Sequence, residues 1–232
     1  MTDSRILITG ANRGIGLQLS EQFAEDGWQV LACCRNPDQA DELRALSERL
    51  SSIELHALDV TDYAQMNALA ASLTGRPIDI LLSNAGIYGP RGVVFGEVSA
   101  PEWRDVFEVN SIAPMMLAQA FVDSVEISRQ KLIAIISSKM GSIGDNASGG
   151  SYIYRSSKTA VNQVVKSMSQ DLAERGISVI SLHPGWVQTD MGGPNAETSV
   201  VESGSGLKSV LQSSGAAQNG QFINFDGNPI PW

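Results

Sequence analysis

A doubly wound α/β fold, with a seven-stranded parallel sheet and helices on both faces of a single domain, is what the sequence predicts. Short apolar runs alternate with longer amphipathic segments along all 232 residues, of which 43% are hydrophobic and 18% charged. Alternating strands and helices favour a parallel sheet with right-handed crossovers. Ligands of such sheets bind where the carboxyl ends of the strands open.

Seven short runs, rich in apolar and β-branched residues, have the length and composition of buried strands. The pattern continues without an internal repeat or a long linker, so residues 1–232 are predicted to form one domain. The predicted strands span residues 6–9, 29–34, 53–57, 78–83, 132–137, 179–183 and 221–224.

Residues that favour helix starts precede most of the amphipathic segments. The Gly/Ser-rich segment 203–220 is the weakest helix, because Gly204 and Gly206 each cost roughly 1 kcal/mol relative to Ala. A mobile segment is the alternative there. The start signals are Asn36 before Pro37, Thr61 before residues 64–73, Ser99 or Ala100 before Pro101, and Ser199 with Glu202 as a capping box.

Composition excludes several classes of function. The net charge of −9, without a basic run, argues against a nucleic-acid surface, which needs clustered Lys and Arg for phosphate contacts. The apolar stretches are far too short to span a membrane. Cys33 and Cys34 are adjacent, which suits neither a disulfide nor a metal site. We therefore expect a soluble, cytoplasmic protein without a bound metal.

Glycines mark the turn between the first predicted strand and the segment that follows it. Glycine permits a tight turn and a close approach of the backbone to a pyrophosphate, which then lies on the positive end of the helix dipole. Its place between strand and helix favours a dinucleotide site over a purely structural turn. The turn reads Thr9-Gly10-Ala11-Asn12-Arg13-Gly14-Ile15-Gly16.

The choice of dinucleotide depends on the end of the second predicted strand. An NAD site would place Asp or Glu there to hold the ribose 2′-hydroxyl, but the chain reads Cys34-Arg35. Arg13 and Arg35 could converge on a 2′-phosphate, which guanidinium groups match by charge and by bidentate geometry. NADP is therefore favoured over NAD, the alternative being that both arginines are merely solvated.

A phenol and an ammonium stand four residues apart at Tyr154 and Lys158, on one face of a predicted helix. A nearby cation stabilises the phenolate, so we expect Lys158 to lower the pKa of Tyr154 and make it a general acid/base. Such a pair also arises by chance, so its weight depends on its surroundings. Tyr152 is a weaker candidate, because Ser156 rather than Lys follows it at the same spacing.

These motifs together resemble the short-chain dehydrogenase/reductase family, over essentially the whole chain. The resemblance implies a Rossmann-type fold and a tetrad of Asn110, Ser138, Tyr154 and Lys158. The implied NADP(H) site consists of the glycine turn (Gly10, Asn12, Arg13, Gly14, Ile15, Gly16), Arg35, the adenine-contacting Asp59-Val60, the segment Asn84-Ala85-Gly86, Tyr154 and Lys158, and the nicotinamide-capping Pro184, Gly185, Val187 and Thr189.

The implied reaction is reduction of a carbonyl with NADPH, which supplies the hydride. Tyr154 would donate the proton, Lys158 would polarise the phenol and bind the nicotinamide ribose, and Ser138 would donate to the developing oxyanion.

Residues 101–124 read as one helix with Pro114 inside it. Because proline has no N–H, the Asn110 carbonyl is left free, and in the family it holds a water of the proton relay. The alternative is that Pro114 simply ends the helix.

Several phrases, among them His183-Pro184-Gly185-Trp186-Val187, look most like the carbonyl-reductase subgroup that contains the sniffer and C-factor proteins. A signalling or regulatory role that involves binding of NADP(H), as in the C-factor proteins, is therefore the alternative function.

Two features depart from the family. Ser83 stands where many relatives have Asn, and the interval from Ser138 to Tyr154 is longer than usual, with the additional residues expected in 144–151.

The substrate is expected to be a small or medium, largely apolar aldehyde or ketone. Its contacts are predicted in loops at 88–94, 143–151 and 186–198, within a substrate loop of about 186–206. Trp186 and Met191 could line the pocket or belong to the core. Relatives pair the two helices that carry Asn110 and Tyr154, so the resemblance also implies a homodimer or homotetramer.

Overall fold

The computed structural model describes residues 4–232, which form one parallel sheet flanked by helices. Its strands are β1 (Arg5–Thr9), β2 (Gln29–Cys34), β3 (Ile53–Ala57), β4 (Ile80–Ser83), β5 (Leu132–Ile136), β6 (Ser178–His183) and β7 (Phe222–Asn224). They lie in the order β3-β2-β1-β4-β5-β6-β7. The fold class is therefore confirmed, and each predicted strand agrees within two residues at either end.

Chain order reverses between β1 and β4, which pair with Ile8 opposite Leu82. The connection after β1 runs outward to β2 and the connection after β4 runs the other way to β5. The loops at the carboxyl ends of these two central strands therefore separate and leave a crevice. This is where open parallel sheets bind ligands.

Helices cover both faces and bury two apolar layers. Leu19, Phe23 and Leu207 belong to one layer, and Phe121 and Val161 belong to the other. The helices are α1 (Gly14–Glu25), α2 (Asp41–Arg49), α3 (Tyr63–Ser72), α4 (Ala100–Phe107), α5 (Ala113–Glu126), α6 (Tyr152–Asp171) and α7 (Val200–Ser213).

The single helix predicted over residues 101–124 is interrupted by a π-helical segment, Glu108–Ile112. Ala113 N donates to the Glu108 carbonyl, five residues earlier, where an α-helix would join residues four apart. Pro114 has no N–H for the Asn110 carbonyl, so regular α-helical bonding is impossible at this point. The prediction of one α-helix is wrong, but the disturbance lies where Pro114 predicts it.

Segment 203–220 begins as a regular helix rather than as a weakly ordered segment. Gly204 and Gly206 lie inside α7 because larger side chains would not fit. A methyl group on Gly204 would lie 2.8 Å from Gln18 Cγ, and one on Gly206 2.5 Å from the Phe225 carbonyl oxygen. Ser199 caps the helix, since its Oγ accepts from Glu202 N at 3.1 Å.

Two other helix starts differ from the sequence signals. Thr61 does not cap α3, because its hydroxyl donates to Asp59 Oδ1 at 2.8 Å; Asp62 caps the helix instead and accepts from Gln65 N at 2.9 Å. Asn36 precedes a short 3₁₀ turn at Pro37–Gln39, and α2 begins only at Asp41.

Cys33 and Cys34 are buried and unbonded to each other within β2. Among residues 4–232 no helix is long and apolar enough to cross a membrane. The same residues contain no group of three or more His, Cys, Asp and Glu side chains placed to hold a metal ion.

Candidate active site

The crevice between β1 and β4 is closed at its base by the Asn84 side chain. Asn84 Nδ2 donates to the Thr9 and Gly10 carbonyls at 2.8 and 3.2 Å. In return, Thr9 Oγ1 accepts from the backbone N–H groups of Asn84 and Ala85 at 3.0 and 3.1 Å. The segment after β4 therefore holds the start of the glycine turn in place.

The glycine turn needs its glycines for two different reasons. Gly10 and Gly14 have φ values of 67° and 54°, which favour glycine. Gly16 lies inside α1, where a methyl group would stand 2.3 Å from the Gly10 carbonyl oxygen. The turn is thus tight enough to bring the N–H groups of the first turn of α1 to the crevice, where they can bind an anion. Asn12 and Ile15 lie in the same turn.

Of the two arginines predicted at a 2′-phosphate, Arg13 pairs with another residue and Arg35 forms no ion pair within residues 4–232. Arg13 Nη1 forms an ion pair with Asp190 Oδ2 of the substrate loop, with 65% of the Arg13 side chain exposed. Arg35 follows β2 and contributes to a lowered pKa of Asp59, whose main cause is the hydrogen bond from Thr61 N. Arg35 and the Asp59-Val60 pair therefore lie at the same end of the sheet. The pairing of Arg13 with Asp190 was not foreseen.

The substrate loop contacts the glycine turn. A methyl group on Gly14 would lie 3.3 Å from Thr189 Cγ2. The loop leaves β6 through Pro184 and Gly185, where Gly185 has a φ of 88°. Val187 is buried and forms a bridge with Thr198. The four residues predicted to cap the nicotinamide thus lie in one segment that reaches the turn.

Ser138 follows β5 and is held against α6 by a close contact. The next residues form a 3₁₀ turn, in which a methyl group on Gly141 would lie 2.7 Å from the Lys158 carbonyl carbon. Thr159 Oγ1 donates to the Gly141 carbonyl at 2.9 Å. Ser138 thereby lies close enough to Tyr154 for a side-chain hydrogen bond between them.

Tyr154 and Lys158 are both buried, at 8% and 4% exposure. Lys158 Nζ donates to the Ile136 carbonyl at 2.9 Å and lies 5.9 Å from the centre of the Tyr154 ring. The spacing of the pair on one helix face does bring the two groups together. Gly86 faces the same groups, because a methyl group there would lie 3.6 Å from Lys158 Nζ.

The expected lowering of the Tyr154 pKa is wrong for this structure. Burial raises the pKa of Tyr154 to about 12, the hydrogen bond with Ser138 lowers it, and Tyr88 raises it further. Burial also lowers the pKa of Lys158 to about 8. Removal from water thus disfavours the charged form of both groups. The phenol stays protonated at neutral pH, as a proton donor must be.

Asn110 lies in the π-helical segment and is fully buried. Its Oδ1 accepts from Ile87 N at 2.9 Å, and its Nδ2 donates to the Ile87 carbonyl at 2.8 Å and to Ser157 Oγ at 3.0 Å. Ser157 Oγ donates to the Tyr154 carbonyl at 2.8 Å. The amide side chain therefore joins the segment after β4 to the turn of α6 that carries Tyr154.

Three further residues around Tyr154 were given no individual role by the sequence. The Tyr88 ring stacks on the Tyr154 ring, with centroids 4.5 Å apart, and its hydroxyl lies 3.0 Å from Ser151 Oγ. The Arg91 guanidinium lies over the Tyr88 ring, 4.7 Å from its centre. The only available signal is the position of Tyr88, two residues after Asn84-Ala85-Gly86 at the carboxyl edge of the sheet.

Apolar side chains surround the entrance to Tyr154. A small pocket beside it is lined by residues of segments 88–93 and 151–154. Phe95 is 86% exposed and meets Tyr152 edge-on, with ring centroids 6.3 Å apart. Trp186 and Met191 are also exposed, which excludes them from the core.

The chain matches the family model of the short chain dehydrogenases over residues 4–199. Among solved structures it is similar to the carbonyl reductase Sniffer of D. melanogaster, at 36% identity and a TM-score of 0.92, covering 100% of both chains. The NADPH-bound carbonyl reductase from chicken fatty liver has 34% identity and a TM-score of 0.92, again over 100% of both chains. The C-signal protein of Myxococcus xanthus is 36% identical over 167 residues, which are 72% of this chain and 100% of that protein.

Proposed function

Since this chain belongs to the short-chain dehydrogenase family, we propose that it reduces an aldehyde or ketone to an alcohol with NADPH. The observation that carries the proposal is the meeting of Ser138, Tyr154 and Lys158 at the carboxyl edge of the sheet. Lys158 reaches the end of β5 through the Ile136 carbonyl, and Ser138 bonds Tyr154. A proton donor and an oxyanion donor thus stand beside a glycine turn of the kind that binds pyrophosphate.

The residues present fit a dinucleotide with a 2′-phosphate. The turn is tight, because a Cβ at Gly16 would collide with the Gly10 carbonyl, and the N-terminus of α1 supplies N–H donors for a pyrophosphate. Arg35 supplies positive charge, and Arg13 would add to it where the phosphate replaces Asp190 as its partner. Strand β2 ends without a carboxylate that would repel the phosphate. Solved relatives are described as bound to NADP or NADPH, which supports the same choice.

When bound, NADPH would supply the hydride for the carbonyl carbon. Tyr154 donates its proton to the carbonyl oxygen, and Ser138 donates a hydrogen bond to the same oxygen as negative charge develops. Lys158 would hold the nicotinamide ribose and stabilise the phenolate after proton transfer. Pro114 has no N–H to donate to the Asn110 carbonyl, so this carbonyl would bind a water that links Lys158 to solvent. Through that water and Lys158, a proton from solvent would replace the one that Tyr154 gave to the product.

Replacing Tyr154 by Phe tests the assignment of the proton donor. Loss of a general acid is expected to lower kcat by about 100-fold to 10,000-fold while NADPH still binds. Tyr152→Phe is the matched control, because it removes an exposed phenol oxygen that has no lysine at the fourth position and keeps the ring that lines the pocket. NADPH consumption on a panel of carbonyls measures both. Equal activity of Tyr154→Phe and wild type would refute the mechanism.

Replacing Arg35 by Asp tests the cofactor. A carboxylate next to the 2′-phosphate should weaken NADPH binding by roughly 10-fold to 100-fold, the size of a lost charge-assisted hydrogen bond. NADH affinity should change far less, since NADH lacks the phosphate. Titrations of protein fluorescence with both cofactors give the two dissociation constants. An equal loss for both cofactors would contradict the assignment of Arg35.

The exposed apolar residues at the site entrance support a largely apolar carbonyl substrate. Phe95 and Tyr152 form an edge-to-face pair at the pocket, and Trp186 and Met191 lie in the substrate loop. Carbonyls of increasing apolar size should therefore show falling KM values with little change in kcat, because added apolar contact contributes uniform binding. A charged carbonyl preferred over all apolar ones would contradict this substrate class.

The assembly proposed with this function is a homodimer or homotetramer formed through α5 and α6. Ile112, in the segment that leads into α5, and Tyr152, at the start of α6, are exposed and apolar or aromatic. Light scattering on the purified chain measures the mass in solution, and a monomer would contradict the assembly without affecting the reaction.

A signalling protein that binds NADP(H) is the second candidate, favoured by the similarity to C-signal. In that case turnover is secondary, and the chain should bind NADPH but reduce nothing across a broad carbonyl panel. The protonated, buried phenol beside Ser138 favours the reductase. Turnover by wild type and its loss in Tyr154→Phe would decide for the enzyme.

A further inference from the structure

Tyr88 is the only side chain whose ring is stacked on that of Tyr154 among the residues that the structure describes. The centroids lie 4.5 Å apart and the planes differ by 24°. An aromatic ring fills one face of the phenol, so Tyr154 cannot swing towards that side. At the oxygen end, the Ser138 hydroxyl is close enough to lower the pKa of the phenol.

The hydroxyl of Tyr88 reaches the start of the catalytic helix. It lies 3.0 Å from Ser151 Oγ, and Ser151 is the residue immediately before α6. Ser151 has a φ of 45°, which is uncommon for a residue with a side chain. Strained residues persist only where the surrounding structure holds them, and they cluster at functional sites. Tyr88 thus contacts Tyr154 directly and the beginning of its helix through Ser151.

The other neighbour of Tyr88 connects it to the substrate loop. The Arg91 guanidinium lies over the Tyr88 ring, 4.7 Å from its centre, as a cation–π contact. Arg91 Nη2 also donates to the Met191 carbonyl. A continuous path of side chains therefore runs from the loop at Met191, through Arg91 and Tyr88, to Tyr154.

We propose that Tyr88 is a positioning residue, whose ring holds the Tyr154 phenol towards Ser138 and whose contact with Arg91 couples that position to the substrate loop. The inference rests on the proposed reductase function. Tyr88 touches the proton donor rather than the reacting atoms, so its loss should affect proton transfer more than cofactor binding.

The variants Tyr88→Leu and Tyr88→Phe test the ring and the hydroxyl of Tyr88 separately. Leu keeps an apolar side chain but removes the stacked ring, and kcat should fall by roughly 10-fold to 100-fold, the cost of a small misplacement of a catalytic group. Phe keeps the ring and should retain kcat within about threefold. Both variants should bind NADPH as wild type does. Comparable losses in kcat for Phe and Leu would overturn the role of the ring.

The pH profile gives a readout that a merely structural role would not move. Reduction needs protonated Tyr154, so activity is lost as pH rises through its pKa. Opening one face of the phenol to water in Tyr88→Leu should lower the pKa of Tyr154 towards its ordinary value, and the alkaline limb should move to lower pH. An alkaline limb unchanged from that of wild type would overturn the proposal.

Arg91→Met tests the coupling to the loop. This variant removes the contact with the Met191 carbonyl but leaves the Tyr88 ring in place, so we expect KM to rise by roughly fivefold with kcat nearly unchanged. An unchanged KM would overturn the coupling.

The effect of Tyr88 on Tyr154 can be measured without any turnover. The tyrosinate absorbance of wild type minus that of Tyr154→Phe reports the titration of Tyr154 without any substrate, and the same difference in the Tyr88→Leu background should shift to lower pH. If wild type reduces no carbonyl, the proposed function fails while this titration still decides whether Tyr88 shields Tyr154. An unshifted titration would overturn the inference even in an active enzyme.

Discussion

Helix α1 begins with a left-handed residue and α6 begins directly after three of them, yet the two helices contribute to the site in different ways. Gly14 has a φ of 54° at the start of α1, and Gly149, Gly150 and Ser151 have φ values of 65°, 64° and 45° before α6. The first helix offers backbone N–H groups and a dipole, which need no buried charge. The second offers buried side chains that titrate, Tyr154 and Lys158.

The two starts are also held differently. In α1 the geometry is enforced by close packing, since a methyl group on Gly16 would collide with the Gly10 carbonyl. Before α6, apart from chain neighbours, none of the described residues lies within 4 Å of a methyl group on Gly149 or Gly150. Side chains hold that loop instead: Arg155 Nη2 donates to Ser148 Oγ at 2.8 Å. The cofactor end is thus fixed by backbone sterics and the catalytic end by side-chain contacts.

Gly16→Ala should have the largest effect, because the new methyl group would stand 2.3 Å from the Gly10 carbonyl oxygen and the turn would have to open. Alanine otherwise favours a helix by about 1 kcal/mol, so any loss is due to the collision. NADPH affinity should fall by more than about 100-fold, the scale of a few kcal/mol of strain.

Gly215→Ala is the control for this variant, since Gly215 has an ordinary φ of −166° and its added methyl group meets open space. Its NADPH affinity should match that of wild type. If Gly16→Ala binds NADPH as tightly as Gly215→Ala, steric enforcement of the α1 turn is wrong.

Lys158→Met measures how much the buried charge of Lys158 lowers the free energy of unfolding. Burial lowers the pKa of Lys158 from 10.5 to about 8, so between these values the unfolded chain binds more protons and stability rises with pH. Below pH 8 the whole penalty is present, about 3 kcal/mol, offset by about 1 kcal/mol for the hydrogen bond to the Ile136 carbonyl.

The methionine variant should therefore be more stable than wild type at pH 7 by about 2 kcal/mol and lack the rise towards pH 10. Urea unfolding at several pH values measures both quantities. A wild-type stability that falls between pH 8 and 10 would contradict the lowered pKa of Lys158.

Gly149→Ala should have the smallest effect of the three. Its methyl group meets open space, so only the left-handed backbone opposes it, at about 1–2 kcal/mol. Urea unfolding should show this loss of stability, while NADPH affinity should stay unchanged because the cofactor end is held separately. A loss of affinity like that of Gly16→Ala would remove the distinction between the two helix starts.

The fold could be predicted from the sequence because its signals are local. Strands β2 and β3 coincide with apolar runs whose ends are marked in the sequence, and Pro114 marks the disturbed helix. The form of that disturbance, a π-helical segment at Glu108–Ile112, depends on packing that the sequence does not display. For the same reason Gly204 and Gly206 predict a weak helix, although they are small in order to contact Gln18 and Phe225.

In the candidate site, the sequence predicts which residues take part, and the structure shows which side chains they contact. The Tyr154–Lys158 spacing predicts a shared helix face, and the structure brings both groups together with Ser138. The partners of Arg13 and Tyr88 are Asp190 and Ser151, more than 60 residues away along the chain. No spacing rule links residues so distant, so these contacts could not be predicted.

By itself the sequence determined the alternating strands and helices and the glycine turn after β1. It also determined that Arg35, rather than an acidic residue, follows β2 and that Tyr154 and Lys158 are four residues apart. These are properties of short stretches of chain. Only the tertiary structure decided that both groups are buried, that burial raises the pKa of Tyr154 and lowers that of Lys158, and that Tyr88 covers the phenol. Desolvation and ring contacts depend on which distant residues exclude water, and that is settled only when the chain folds.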